Sequence, residues 1–141
     1  MRKYTNNNLA MAEVSPWDLE PGELAWLERA LHAGYDKGRL QDALLSVAKG
    51  EADLWRLSGP RTAGVAATRI IPKADFIECD VWLLAGQGLM WQLGNFSVLL
   101  REYAKENACT VIHANVLPEL VAAYTRALGM RHDMTSMVME V

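Results

Sequence analysis

The sequence predicts a mixed α+β fold in which helices pack on one central sheet. The chain has 141 residues, 51% of them hydrophobic and 22% charged, which is the size and composition of one globular domain. In the second half, short apolar segments alternate with segments whose apolar residues recur at helical spacing, as in strand, helix, strand units. We therefore expect residues 1–141 to form a single domain with the element order β-α-α-β-β-β-α-β-α-β.

The first half of the chain predicts a strand, two helices and a hairpin after a polar leader. In both helical segments apolar residues recur every three or four positions, and a glycine, Gly34 or Gly50, follows. The turn at 58–61, Ser-Gly-Pro-Arg, separates the two hairpin strands. The predicted segments are a frayed leader at 1–8, a strand at 9–14, helices at 21–33 and 40–48, and strands at 52–57 and 63–71.

The second half predicts two neighbouring parallel strands joined by a helix. Segment 76–84 begins with alternating polar residues and becomes wholly apolar, which fits a strand that is buried on both faces at its end. A helical crossover to the next strand predicts that the two run parallel. The predicted segments are this fourth strand, a turn with Gly86, Gly88 and Gly94, a helix at 95–108 capped by Asn95 or Ser97, a fifth strand at 109–116, a helix from 118 to 129, and a closing strand or hairpin arm at 130–141.

Charge and cysteine usage exclude several classes of partner. The formal net charge is −3 and basic residues form no run, so we expect neither nucleic acid nor an anionic membrane surface to be bound. No apolar run is long enough to span a bilayer. Cys79 and Cys109 lack the spacing of metal ligands, so we expect no metal and two buried free thiols in a reducing, cytoplasmic compartment.

Three phrases follow one another along the predicted element order: Val81 to Leu84, Gly94 to Glu106, and Asn115 to Met130. Together with that order, they resemble the GNAT family of acyl-coenzyme A dependent N-acyltransferases over nearly the whole chain. The resemblance implies acetyl transfer from acetyl-CoA to an amine of a small molecule or a protein. It also implies that the fourth and fifth strands splay apart around the pantetheine arm. The pyrophosphate would then lie on backbone amides at the N-terminus of the next helix.

The cofactor residues follow from the same resemblance. Family members carry Arg or Gln, two residues, Gly, one residue, then Gly or Ala in the turn, and this chain has no clean copy of that motif at 86–95. Backbone donors on the fourth strand would polarise the thioester carbonyl, and Gln87 or Gln92 would replace the missing polar partner. The residues implied for acetyl-CoA binding are Val81, Trp82, Leu83, Gln87, Gln92, Gly94, Asn95 and Asn115.

Three residues are candidates for proton transfer. Glu78 and Asp80 share one face of the fourth strand and offer a general base; the alternative is that they are solvated residues at its exposed start. Tyr124 offers an acid for the leaving thiolate, although it lies five residues before Gly129 where the family has four; the alternative is a core tyrosine. His113 on the fifth strand is a base, an orienting group or a hydrogen-bonded core residue.

Two functions remain open from the sequence. One is the N-acetyltransferase reaction. The other, suggested by the altered turn and the displaced tyrosine, is a GNAT-like module that has lost the reaction and has a structural or partner-binding role, for example in a phage particle. Such a phage-encoded chain would lie in the host cytoplasm or in the virion. Met134, Met137 and Met139 predict an adaptable apolar surface, and hence a homodimer formed through the last strand.

Overall fold

The structure is a computed structural model that describes residues 1–33, 38–115, 124–126, 129–133 and 136–141. In these residues eight strands form one sheet in the order β1-β2-β3-β4-β5-β6-β8-β7, in which β5 and β6 pair parallel and the other neighbours pair antiparallel. The predicted mixed fold is confirmed. The strands are β1 (Lys3–Thr5), β2 (Ala10–Glu13), β3 (Asp53–Gly59), β4 (Thr62–Pro72), β5 (Ile77–Gln87), β6 (Val111–Asn115), β7 (Arg131–Asp133) and β8 (Ser136–Glu140), and the helices are α1 (Pro21–Ala33), α2 (Leu40–Ala48) and α3 (Leu89–Glu106).

Helices cover the sheet on both faces. On one face, α3 packs on a core that contains Trp55, Leu99 and Tyr103, all fully buried. On the other face, α1 and α2 pack over a smaller core that includes Leu27 and Leu83. Successive side chains along β5 therefore point alternately to the core under α3 and to the core under α1 and α2. None of the described helices combines the length and apolarity needed to cross a membrane.

The N-terminal segment is an edge strand, so its prediction as a frayed leader is wrong. Lys3 to Thr5 pair antiparallel with β2, and Tyr4 is 6% exposed. The Tyr4 ring makes edge contacts with Trp55 and Tyr103 at centroid distances of 5.7 and 6.1 Å. One buried aromatic side chain anchors a strand that is otherwise polar, which is why composition alone indicated a leader.

Helix α3 begins six residues earlier than the sequence predicted. Its N-cap is Gly88, in the left-handed region with φ 71°, whereas Asn95 and Ser97, the predicted caps, lie inside the helix. The sequence predicts Gly94 in the turn, whereas it lies inside α3, where a Cβ on it would meet nothing within 4 Å. A glycine on an open helix surface costs only about 1 kcal/mol, so it does not end the helix here.

The C-terminal tail forms a hairpin of β7 and β8, which confirms one of the two predicted forms of this segment. Its described methionines do not form a surface. Met137 and Met139 are 0% and 4% exposed and belong to the core under α3; Met134 lies outside the described residues. Strand β8 is paired on both edges, with β6 and with β7. The surface interpretation is therefore wrong for Met137 and Met139, and β8 offers no free edge for the predicted homodimer. The predicted helix from 118 to 129 lies outside the described residues except for 124–126, which are helical, and Gly129.

Candidate active site

The parallel strands β5 and β6 pair over a short stretch and then separate. The register runs from Glu78 opposite Val111 to Val81 opposite Ala114. Beyond that pair β5 continues to Gln87, and the described part of β6 ends at Asn115. We call the opening beyond the Val81 and Ala114 pair the fork. No described residue of β6 pairs with β5 there. The predicted splaying of the two strands is confirmed.

A bulge in β5 lies at the start of the fork. Val81 is opposite Thr68 and Leu83 is opposite Ala67, so Trp82 is the extra residue. A bulge redirects side chains, and here Trp82 and Leu83 both pack toward the α1 side while Val81 packs under α3. The segment predicted to polarise a thioester thus lies at the opening of the fork, with its backbone distorted from a regular ladder.

A cavity of about 420 Å³ lies in the fork, along the part of β5 that follows Val81. It is lined by the end of β5, the first turn of α3 and Tyr124; the lining includes Leu84, Gly86, Gly88, Leu89, Trp91 and Tyr124. The sharp turn into α3 requires glycine, because a Cβ on Gly88 would come within 2.2 Å of the carbonyl oxygen of Arg61. Tyr124 therefore shares one cavity with the glycine-containing turn, as its predicted role as an acid requires.

The first turn of α3 provides backbone amides at the cavity that could bind an anion. Helix α3 has 18 residues, and Gly88 at its N-cap provides no side-chain hydrogen bond to the first amides. These amides have no partner within the helix, and the helix dipole adds positive potential at this end. Trp91, a bulky residue in this segment, is 91% exposed and stands at the rim of the cavity.

Two of the predicted cofactor residues are engaged elsewhere. The Gln92 side chain is 7% exposed and donates to the backbone oxygen of Asn8 at 3.2 Å. Asn95 donates to Gln92 Oε1 at 2.8 Å and accepts from Asn6 Nδ2 at 3.3 Å. These contacts join α3 to the loop between β1 and β2. The structure therefore places Gln92 and Asn95 in a structural network, whose presence the sequence did not indicate because Asn6 and Asn8 were assigned to a leader.

The other predicted cofactor residues lie at four separate positions. Gln87 is exposed at the end of β5, two residues before α3, and Asn115 is exposed at the end of β6. Both therefore lie beyond the paired part of the two strands. Gly94 is exposed within α3, outside the cavity lining. Residues 81–83 alone lie directly at the opening of the fork.

A row of charged side chains crosses three strands beside the fork. Asp80 is 3% exposed, and its Oδ2 accepts from Arg69 Nη2 at 2.7 Å and Nε at 3.0 Å. Its Oδ1 lies 2.9 Å from His113 Nδ1. We call these three residues the Arg69–Asp80–His113 row. Glu78 precedes Asp80 by two residues and is 9% exposed, so neither carboxylate is a solvated residue at an exposed strand start.

The electrostatics of the row assign different protonation behaviour to its members. Burial works to raise the pKa of the Asp80 carboxyl, but hydrogen bonds from His113 and Arg69 outweigh it and hold this pKa below its usual value. The hydrogen bond to Asp80 raises the pKa of His113, against the opposing effect of burial. Asp80 is therefore an ionised partner and a weak base, while the imidazole is the stronger base. Burial raises the pKa of Tyr124 to about 12, so this phenol keeps its proton at neutral pH.

The same cluster could be considered for a metal ion. Ligand atoms of Glu78, Asp80 and His113 lie within 4.8 Å of one another. However, the guanidinium of Arg69 already supplies a positive charge to Asp80, and its ring contact with Trp82 at 4.4 Å holds it there. Both oxygens of Asp80 are therefore already engaged by Arg69 and His113. Sequence reasoning missed Arg69, although an arginine within the otherwise uncharged strand segment 62–72 was a signal that could have identified it.

Comparison with solved structures identifies the fold of this chain. No family model matches the sequence, and no curated protein does. The structure is similar to a GNAT-family protein of Chromobacterium violaceum, with a TM-score of 0.68 and 13% identity, over 98% of this chain and 85% of that chain. It is similar to an acetyltransferase of Bacillus subtilis in complex with CoA, with a TM-score of 0.62 and 9% identity, over 93% of this chain and 97% of that chain. It is also similar to a chain of the NatC complex bound to Gag peptide and CoA, with a TM-score of 0.62 and 9% identity, over 95% of this chain and 99% of that chain.

Proposed function

Because this chain has the fold of the GNAT acetyltransferases, we propose that it is an N-acyltransferase that moves an acetyl group from acetyl-CoA to an amine. The observation that carries the proposal is the fork, where no described residue of β6 pairs with β5 beyond Val81. The cavity of about 420 Å³ lies along this edge and reaches the first turn of α3. A thin pantetheine arm needs such an opening between strands, and a pyrophosphate needs free amides at its far end.

The chemistry uses groups on both sides of the fork. The amine nitrogen attacks the thioester carbonyl carbon, the carbon–nitrogen bond forms, and the carbon–sulfur bond breaks to release the CoA thiolate. Backbone N–H groups at Val81 to Leu83 stabilise the negative charge on the carbonyl oxygen. Tyr124 donates its proton to the thiolate, and the cluster of Glu78, Asp80 and His113 receives the proton of the amine. Holding both reactants in this geometry supplies much of the rate.

The cofactor would also meet residues around the fork. In the proposal, Gln87 and Asn115 at the ends of β5 and β6 hydrogen-bond the pantetheine arm, and the amides of the first turn of α3 receive the pyrophosphate. Gln92 and Asn95 hold α3 against the β1–β2 loop and thereby position that turn. The acceptor is an amine of a small molecule or of a protein.

Binding of acetyl-CoA is tested first by thermal unfolding. A ligand that binds only the folded state at 100 times its Kd stabilises that state by about 2.7 kcal/mol, so a clear rise in melting temperature is expected. Leu84→Trp enlarges a side chain that lines the cavity on the α3 side of β5 and should remove this rise. Leu45→Trp is the matched control, because Leu45 is exposed on α2 and does not line the cavity.

Turnover is tested by release of CoA thiol in the presence of spermidine or of a peptide with a free N-terminus. The protein contributes little background to a thiol reagent, since Cys79 and Cys109 are 0% and 4% exposed. A wild-type chain whose melting temperature does not respond to millimolar acetyl-CoA would refute the proposal. That result would favour a GNAT-like module with a structural or partner-binding role. A rise that persists in Leu84→Trp would place the ligand outside the cavity.

A further inference from the structure

We propose that His113 is the catalytic residue that takes the proton from the attacking amine, and that Asp80 and Arg69 are positioning residues for it. This inference rests on the proposed acyl transfer and names the base for it. Asp80, which the sequence suggested as a base itself, has both oxygens occupied by the other members of the row. No described residue hydrogen-bonds Nε2 of His113, so within the described part of the chain the imidazole is the member with a nitrogen left to accept a proton.

The position of the row relative to the fork supports this assignment. Asp80 pairs with His113, and the following pair, Val81 with Ala114, is the last before the strands separate. One strand residue spans about 3.3 Å, so the imidazole lies about one residue step from the opening. A thioester held by the bulge at Trp82 would therefore have its carbonyl carbon near the row, where an amine must approach.

The hydrogen bond to Asp80 selects the tautomer of His113. An ionised carboxylate can only accept, so Nδ1 carries the proton of the neutral ring, and the lone pair is on Nε2. The side chain of His113 is 21% exposed while that of Asp80 is 4% exposed, so the imidazole is the more accessible of the two. Arg69 fixes the carboxylate by two hydrogen bonds and stacks on Trp82, so the row is held rigidly.

The charges around His113 suit an amine substrate. Asp80 and Glu78 on β5 favour the protonated ring, and Lys73 in the preceding turn opposes it. Arg69 faces Asp80 from β4, and Glu140 on β8 is opposite Val111, two residues along β6 from His113. Alkylamines with a pKa near about 10 reach the site as ammonium ions, which the carboxylates attract. The ammonium loses one proton to solvent, the neutral nitrogen attacks, and its second proton passes to Nε2, which later returns it to water.

Kinetics with acetyl-CoA and spermidine test the role directly. The rate constant kcat should rise with pH as the imidazole deprotonates. His113→Gln should lower kcat by about 10²–10⁴-fold and remove this rise, without changing the melting response to acetyl-CoA. Asp80→Asn should shift the rise to lower pH, because the raised pKa of His113 depends on the carboxylate. His32→Gln is the matched control, since the His32 side chain is 77% exposed on α1.

A second readout uses no acceptor. The imidazole resonances of His113, assigned by comparison with His113→Gln, should titrate at lower pH in Asp80→Asn and shift when acetyl-CoA is added. A melting response to acetyl-CoA without any change of these resonances would overturn the inference. So would full turnover with an unchanged pH profile in His113→Gln. If the wild-type chain shows no melting response at all, the proposed function itself fails, which is a different result.

Discussion

Replacement of Arg69 by methionine tests whether the buried charge of Asp80 depends on its cationic partner. Methionine keeps most of the aliphatic stem and removes both hydrogen bonds to Oδ2, at 2.7 and 3.0 Å. Removing one partner of a buried ion pair costs about 3–5 kcal/mol. Because the Arg69 side chain is 31% exposed and His113 still contacts Asp80, we expect a loss of about 2–3 kcal/mol in the free energy of unfolding.

The measurement is urea unfolding at pH 7, with the melting temperature as a second readout. A loss of about 2–3 kcal/mol corresponds to a fall of roughly 6–12 °C for a domain of this size. Arg29→Met is the control, because Arg29 is exposed on α1, and such surface changes stay within about 0.5 kcal/mol. A loss no larger than that of the control would refute the view that the row is an energetically coupled unit.

The pH dependence of the free energy of unfolding tests the same prediction. The folded pKa of Asp80 lies below its unfolded value, so its pairing stabilises the fold above about pH 4 and this stabilisation is lost as the pH falls through the folded pKa. The difference between wild type and Arg69→Met should therefore be full at pH 7 and shrink below about pH 4. A difference that stays constant from pH 7 to pH 3 would contradict the assignment.

Three further predictions concern other parts of the fold. Tyr103→Phe removes a buried hydroxyl that donates to Asp53 at 2.6 Å and accepts from Thr68, and should cost about 1–3 kcal/mol in urea unfolding; no loss would mean that Asp53 finds another donor. Gly88→Ala should destabilise the turn into α3, since a Cβ there lies 2.2 Å from a carbonyl oxygen, whereas Gly94→Ala should be neutral or stabilising by up to about 1 kcal/mol; equal melting temperatures would refute this. His113→Gln should be less stable than wild type below about pH 6.5, and its stability should approach that of wild type as the pH rises through the raised folded pKa of His113. Unfolding between pH 5 and pH 9 measures this difference in stability, and a difference that widens with pH would contradict the expectation.

Local patterns predicted much of the fold correctly. The bounds predicted for the first two helices, 21–33 and 40–48, agree with α1 and α2. The hairpin at β3 and β4 and the parallel pairing of β5 with β6 were also predicted correctly. Each of these features depends on residues that are close in the chain: periodic apolar positions, a turn dipeptide, or the length of a crossover segment.

The errors have a common physical origin in contacts distant in the chain. Tyr4 makes residues 1–8 part of the sheet because Trp55 and Tyr103 receive its ring. The start of α3 depends on where β5 ends, which is set by its pairing with β4 as far as Gln87. Met137 is buried because β8 is an inner strand whose side chain at this position packs in the core under α3. None of these partners is visible in the local pattern that was used to assign each segment.

The sequence by itself determined the element types, the mixed fold and the identity of the carboxylates on one face of β5, because helix and strand periodicity are properties of a contiguous backbone. Only the tertiary structure decided what those carboxylates do. Residues 69, 80 and 113 meet because β4, β5 and β6 adopt one register, and a shift of one residue would send His113 to the opposite face. Pairing register is set by packing across the whole sheet, so the row and the fork beside it appear only when the strands are assembled.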